Sequence, residues 1–175
     1  MREYVVTAVG ADRPGIVAAI TGALLELGGN LEETRAALLR GSFATVLAVA
    51  VPVDVGRDEL RAALRPVALE LGLGLWVGEA APRSEAPPLD RAVVSVYGAD
   101  HPGIVHAMAT ALAASDANII DLSSRLVGDP PIYVLGIEVE MPPGGDADAL
   151  RAVLAPVAER SGVELAIESE DDEVL

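Results

Sequence analysis

The chain has 175 residues, 51% of them apolar, and a formal net charge of −15. A globular protein is expected, and direct contact with the phosphates of DNA or RNA is disfavoured. It holds no cysteine and all 12 of its basic residues are arginine, which excludes thiol catalysis, disulfides and zinc ribbons and removes the Schiff-base amine and the phosphate-loop lysine.

Residues Tyr4 to Val9 are nearly all apolar and rich in valine, as a strand at a sheet centre should be. Asp12 meets the rules for a helix start, with Pro14 in the first turn and Ile16, Ile20, Ala23, Leu24 and Leu27 at helical spacing until Gly28 and Gly29. Asn30 to Leu39 is extended and polar, Thr45 to Val53 is apolar, and Arg40, Gly41 and Ser42 between them read as a hairpin turn. A second helix is expected from about Asp58, with Leu60, Leu64, Val67 and Leu71 inward, and a last strand from Leu73 to Val77. Proline removes an amide and crowds the carbonyl four residues back, so Pro66 predicts a kink or a break in that second helix.

The octapeptide from Gly10 to Val17 (Gly-Ala-Asp-Arg-Pro-Gly-Ile-Val) returns from Gly98 to Val105 with histidine in place of the arginine, so the chain is an internal duplication. The offset of 88 also carries Leu24 onto Leu112, Asn30 onto Asn118, and Val46 and Leu47 onto Val134 and Leu135. From Leu60 and Leu150 onward it is 90, which implies two residues added in one loop. Repeat two therefore predicts elements over Ala92–Tyr97, Pro102–Ala114, Asn118–Val127, Ile132–Met141, Asp148–Arg160 and Val163–Ile167, with Pro156 matching Pro66.

Strand, helix, strand, strand, helix, strand is the split βαβ order of ferredoxin-like domains. The expected class is α+β: two tandem βαββαβ domains, each an antiparallel four-stranded sheet with helices on one face. Strands one and three lie in the middle, because they are the greasier ones, and the polar second strand lies at an edge. The expected division is residues 1–79, a proline-rich linker 80–90, residues 91–168, and an acidic tail 169–175. Each half is small enough to lean on a neighbour, so pairing is expected. No 18-residue apolar run and no charged-then-apolar leader occurs. A membrane span and a signal peptide are not expected, and a cytoplasmic location is.

The repeated turn has its own chemistry. Gly10 and Gly15 permit close backbone approach, Pro14 fixes the turn, and the helix behind it opens with unpaired amides that favour a carboxylate or phosphate. Asp12 and Asp100 can equally be read as plain N-caps and the Pro-Gly pair as a tight turn. Asn30 and Asn118 begin the edge strands, where an amide could reach across a seam between sheets. His101 and His106, five apart and without a settled third ligand, do not make a metal site. No cofactor is expected.

These features together make the chain resemble tandem ACT-domain proteins of the glycine cleavage system transcriptional repressor family. The resemblance rests on the Asp-x-Pro-Gly turns at Asp12–Gly15 and Asp100–Gly103, and on Gly29-Asn30-Leu31 and Ala117-Asn118-Ile119 at the start of strand two. It implies a regulatory protein that binds a small molecule, often an amino acid, with domains paired side by side through strand two. It places the effector against Ala11, Asp12, Arg13, Pro14, Gly15, Ile16 and Val17, or Ala99, Asp100, His101, Pro102, Gly103, Ile104 and Val105. Asn30, Leu31, Asn118 and Ile119 would face it from a neighbouring domain. A homodimer and a protein partner that carries any transcriptional effect are implied with it.

Other functions of this topology fit less well. Acyl-phosphate hydrolases use an arginine and an asparagine on such a scaffold, yet no activated nucleophile can be assembled here: there is no thiol, no lysine and no Gly-x-Ser-x-Gly elbow. An enzyme is not expected. RNA-binding relatives display an aromatic cluster on the central strands, whereas only 3% of this chain is aromatic. A ligand-free association module working through exposed strand edges remains the alternative.

Overall fold

The structure is a computed structural model, and it describes residues 1–82 and 89–169. The expected acidic tail from residue 170 and the middle of the expected linker, 83–88, lie outside these. The chain divides into two compact units, Met1–Ser84 and Glu85–Leu175.

In the first unit the elements are β1 (Arg2–Ala11), α1 (Ile16–Glu26), β2 (Asn30–Leu39), β3 (Ser42–Val51), α2 (Arg57–Leu71) and β4 (Gly74–Glu79). The second repeats them as β5 (Arg91–Gly98), α3 (Ile104–Ala114), β6 (Asn118–Val127), β7 (Ile132–Glu140), α4 (Ala147–Arg160) and β8 (Val163–Ser169). The sheets run β2-β3-β1-β4 and β6-β7-β5-β8, antiparallel throughout. The tandem α+β ferredoxin-like fold is thus as the sequence implies.

Alternation along β1 and β3 explains which face carries the helices. Tyr4, Val6 and Ala8 of β1 and Leu47 and Val49 of β3 are buried with Ile16, Ile20 and Leu24 of α1 and Leu60 and Leu64 of α2. Burying such side chains stabilises by about 1.5–3 kcal/mol each. Thr45 is the one buried polar residue among those described, and its hydroxyl donates to Arg35 O at 2.8 Å. The core of the second unit is built likewise from Val94, Val96, Ile104, Met108, Leu112, Leu135, Ile137 and Leu154.

The other face of each sheet is open. In the first unit it carries Val9, Val46 and Trp76, 49, 46 and 56% exposed. In the second unit, cross-strand register places Asp121, Glu138 and Glu168 in one row with Val93, and Glu164 beside Tyr97. The same surface is therefore more apolar in the first unit, where Glu33 and Arg35 lie at its β2 edge, and more acidic in the second.

Three expectations need correction. The break expected at Pro66 and Pro156 is absent, since α2 and α4 run through both prolines. Both prolines face solvent, as do Ala62 and Ala152, whose carbonyls lose a partner. Water can satisfy those oxygens while Leu64, Ala68, Leu154 and Ala158 on the opposite stripe stay buried.

The two-residue insertion, next, lies in the β6–β7 hairpin and not after β7. Val6 pairs with Leu47 and Val94 with Ile137, so the offset along β3 is already 90 and Val46 does not correspond to Val134. The first hairpin turns on Arg40 and Gly41 alone, at φ 49° and 81°. The second spends four residues, Gly128 to Pro131, between the paired Val127 and Ile132.

Asp12 and Asp100, finally, do not cap helices. The N-caps of α1 and α3 are Gly15 and Gly103, at φ 96° and 103°, with no side-chain cap.

Candidate functional site

The turn that begins α1 is assembled from β1 outward. Ala11 closes the β1–β3 ladder opposite Ser42, and the Asp12 amide donates to Gly41 O of the hairpin at 2.9 Å. Pro14 fixes one φ, Gly15 takes the left-handed conformation that side chains resist, and Gly15 O accepts the first helical bond, from Ala19 N–H at 2.9 Å. The preceding amides of the first turn have no carbonyl within the helix, as at any helix start. Gly103 O and Ala107 N–H repeat the contact at 2.9 Å in α3. Ile16 and Ile104 are sealed in their cores, so either could meet a ligand only through its backbone. Val17 is exposed and Val105 half-buried.

Gly10 permits a close backbone approach within the fold itself. A Cβ there would stand 2.7 Å from Leu73 Cδ2 and 2.9 Å from Gly72 O. Its bareness lets β1 lie against the segment between α2 and β4, and Gly98 does the same against Val163.

Asn30 and Asn118 are exposed at the start of β2 and β6, and neither side chain has a hydrogen-bond partner among the described residues. Leu31 and Ile119, next in each strand, pack against the cores. A β-bulge follows at once, between Leu31 and Glu33 and between Ile119 and Asp121. Within one unit the asparagine and the turn are far apart. Asn30 pairs with Ala50, which pairs with Glu3, whereas the turn leaves from Ala11. Strand from Glu3 to Ala11 covers roughly 27 Å at the usual rise. The structure does not join these two sets of residues inside a unit.

The residue between Asp and Pro in each turn reaches the end of the unit's second helix. His101 Nε2 lies 2.7 Å from Ser161 O, the C-cap of α4, and Nδ1 lies 3.1 Å from Pro102 O. These contacts, that with Ser161 foremost, raise the pKa of His101, and Asp100 adds to the shift. Arg13 Nη2 in the first unit lies 3.8 Å from where a Gly72 Cβ would be, at the C-cap of α2. Sequence reasoning missed this link, although a basic residue stands at that position in both copies. A cavity of about 380 Å³ adjoins the second turn, lined by Tyr97, Gly98, Ala99, Pro131, Ile132, Gly162 and Glu164. Pro131 belongs to the lengthened hairpin. Among the described residues no group of three or more His, Asp or Glu side chains could hold a metal ion.

Residues 3–77 match one ACT-domain profile, and residues 94–168 match another. The chain belongs to the ACT-domain family. Its two ACT domains stand in tandem, each carrying the Asp-x-Pro-Gly turn and the asparagine at strand two. A UPF0237 protein of Methanopyrus kandleri is 42% identical over 78 residues, 44% of this chain and 87% of that protein. The glycine cleavage system transcriptional repressor of Escherichia coli is 33% identical over 123 residues, 69% of this chain and 63% of the repressor. Phosphoserine phosphatase SerB2 of Mycobacterium tuberculosis is 28% identical across 95% of this chain, which spans 40% of that enzyme. Among solved structures, a protein of Galdieria sulphuraria matches with a TM-score of 0.83 at 28% identity, covering 96% of this chain and 98% of its own. The ACT domains and the repressor relative support a regulatory, ligand-binding role. No helix among the described residues is long and apolar enough to cross a membrane.

Proposed function

We propose that this is a non-enzymatic regulatory protein of the cytoplasm that binds an amino acid at ACT-domain interfaces and acts through a protein partner in the control of amino-acid metabolism. The observation that carries the reading is the duplicated pair of half-sites. Each unit offers an open helix N-terminus behind a left-handed glycine, and an unpaired asparagine at the far end of its edge strand. An amino acid suits such a pair, because its carboxylate matches backbone amides at a positive helix end and its polar groups match an amide side chain. Contacts come from the backbone of residues 11–17 and 99–105, with Asn30, Leu31, Asn118 and Ile119 of a paired domain opposite. Two copies of the chain in a homodimer provide such pairing.

A thermal-shift screen against the twenty amino acids tests this reading. Ligand at 100 times its dissociation constant adds about 2.7 kcal/mol. Replacing Gly15 or Gly103 by a bulky residue is expected to remove that protection with circular dichroism nearly unchanged, since a Cβ at either glycine meets nothing within 4 Å, although the left-handed φ lowers the melting temperature of the free protein. Protection that survives both replacements puts the site elsewhere. Asn30→Ala and Asn118→Ala are each expected to weaken binding by about 1.5–3 kcal/mol, more than tenfold. Unchanged dissociation constants with lowered melting temperatures would reduce both asparagines to turn residues.

Operator DNA is not contacted by this chain itself, as its charge of −15 disfavours phosphate binding. A gel shift that weakens steeply with salt is the contrary result. The open apolar face of the first unit favours a second reading, association without a ligand. Self-association with identical constants in the presence and absence of all twenty amino acids would favour it.

A further inference from the structure

We propose that the side chain between Asp and Pro in each turn is a positioning residue that ties the turn to the C-terminal end of the second helix. His101 does so through hydrogen bonds and only while protonated, whereas Arg13 stands over the matching helix end in the first unit. The proposal goes beyond ligand binding and stands whether or not an effector exists.

The geometry at His101 carries it. Both ring nitrogens face carbonyl oxygens, Nε2 that of Ser161 at 2.7 Å and Nδ1 that of Pro102 at 3.1 Å. A neutral imidazole owns one N–H, so its other nitrogen would turn a lone pair toward an oxygen. Only the imidazolium donates to both. Ser161 ends α4, where the last carbonyls carry the negative end of the helix dipole and favour a cation. The positive N-terminal end of α3 on the other side and desolvation oppose that charge, and the net shift is upward.

The charged and titratable groups on the surrounding elements are few. They are Asp100 in the turn itself, Glu159 and Arg160 in the last turn of α4, Glu164 at the start of β8, Tyr97 near the end of β5, and His106 on α3. Among these Asp100 reinforces the cationic form. In the first unit the guanidinium of Arg13, charged at every accessible pH, lies over the C-cap Gly72 of α2. The duplication has thus kept a cation at the same place and made one copy titratable. A folded-state pKa above the unfolded one means that the tie is fully formed below the unfolded value, about 6.5. It is lost as the pH rises through the raised folded value.

The test uses the full chain carrying His106→Gln, which leaves one histidine ring to follow by NMR between pH 5 and 9. The folded His101 ring is expected to titrate at a higher pH than in the same protein unfolded in urea. The amide signals of Ile104, Val105 and Gly162 should follow the same curve. Adding His101→Arg should leave those amides without a titration in this range, and adding His101→Gln should speed hydrogen exchange at Ala107 and Ser161, whose amides donate to Gly103 O and Val157 O. A ring that titrates at or below its urea value overturns the proposal. So do amides that stay still while the ring titrates. A raised value abolished by salt on the order of 0.5 M, with the amides unmoved, would reduce the effect to the protein's net charge and overturn it equally.

Discussion

Trp76 lays its indole ring over Gly78, two residues along the same strand and face, filling the space where a Cβ would stand. Trp76 is the only tryptophan, so the contact can be read spectroscopically. Gly78→Val is expected to push the ring outward, because the far end of a side chain yields more readily than backbone. Near-ultraviolet circular dichroism from Trp76 should fall, while stability changes by no more than about 1 kcal/mol. A retained tryptophan signal in the variant would mean that the ring has other anchors.

The prolines within α2 and α4 cost their helices a hydrogen bond without interrupting them. Pro66→Ala and Pro156→Ala restore the amides that Ala62 O and Ala152 O lack, and remove the ring's crowding of those carbonyls. Each should stabilise its unit by about 1–3 kcal/mol, with the upper limit set by the full penalty of an interior proline. Urea unfolding decides it, and a midpoint that falls in either variant would show that the proline ring itself packs usefully.

Gly10 and Gly98 are bare because another backbone lies against them. A Cβ at Gly10 meets Leu73 Cδ2 at 2.7 Å and the Gly72 carbonyl at 2.9 Å, and one at Gly98 meets Val163 Cγ1 at 2.8 Å and its Cα at 3.2 Å. Gly10→Ala and Gly98→Ala should therefore destabilise by about 1–3 kcal/mol each. Gly10→Ala should be the worse, since a carbonyl cannot swing aside as a methyl can. Equal melting temperatures for wild type and both variants would contradict the close approach.

Asp116 occupies the left-handed position at the end of α3, φ 54°, where the first repeat has Gly28 at φ 68°. Aspartate tolerates this region better than most residues, but it still costs more than glycine there. Asp116→Gly is expected to raise stability by up to about 1 kcal/mol. A calorimetric melting temperature that drops would mean that the carboxylate contributes more than its backbone costs.

Strand order and the two cores were legible from apolar alternation, because Val6, Leu47, Ile20 and Leu64 must leave water wherever they fold. The start of α1 was not. Asp-x-Pro has the composition of a capping segment, and nothing in the letters says that Gly15 takes the left-handed turn instead. The place of the insertion was misread because Val-Leu recurs by chance at 134–135, whereas register is set by ladder hydrogen bonds that sequence does not display. The Asp-x-Pro-Gly turns and the strand-two asparagines were legible as motifs, but their placement at opposite ends of each sheet follows only from pairing. The reach of His101 to Ser161 depends on a turn and a helix end sixty residues apart, which no local pattern could reveal.

The lengthened hairpin has a consequence for how the two copies could drift apart. Side chains alternate along a strand with a period of two, so one added residue at its tip would have turned Leu135, Ile137 and Val139 out of the core. Adding a pair leaves every face of β7 as it was and spends all the novelty on Gly128 to Pro131, outside the ladder. Parity thus makes the hairpin tip a place where a duplicated domain changes its outline in steps of two, beside the turn, at no cost to its interior.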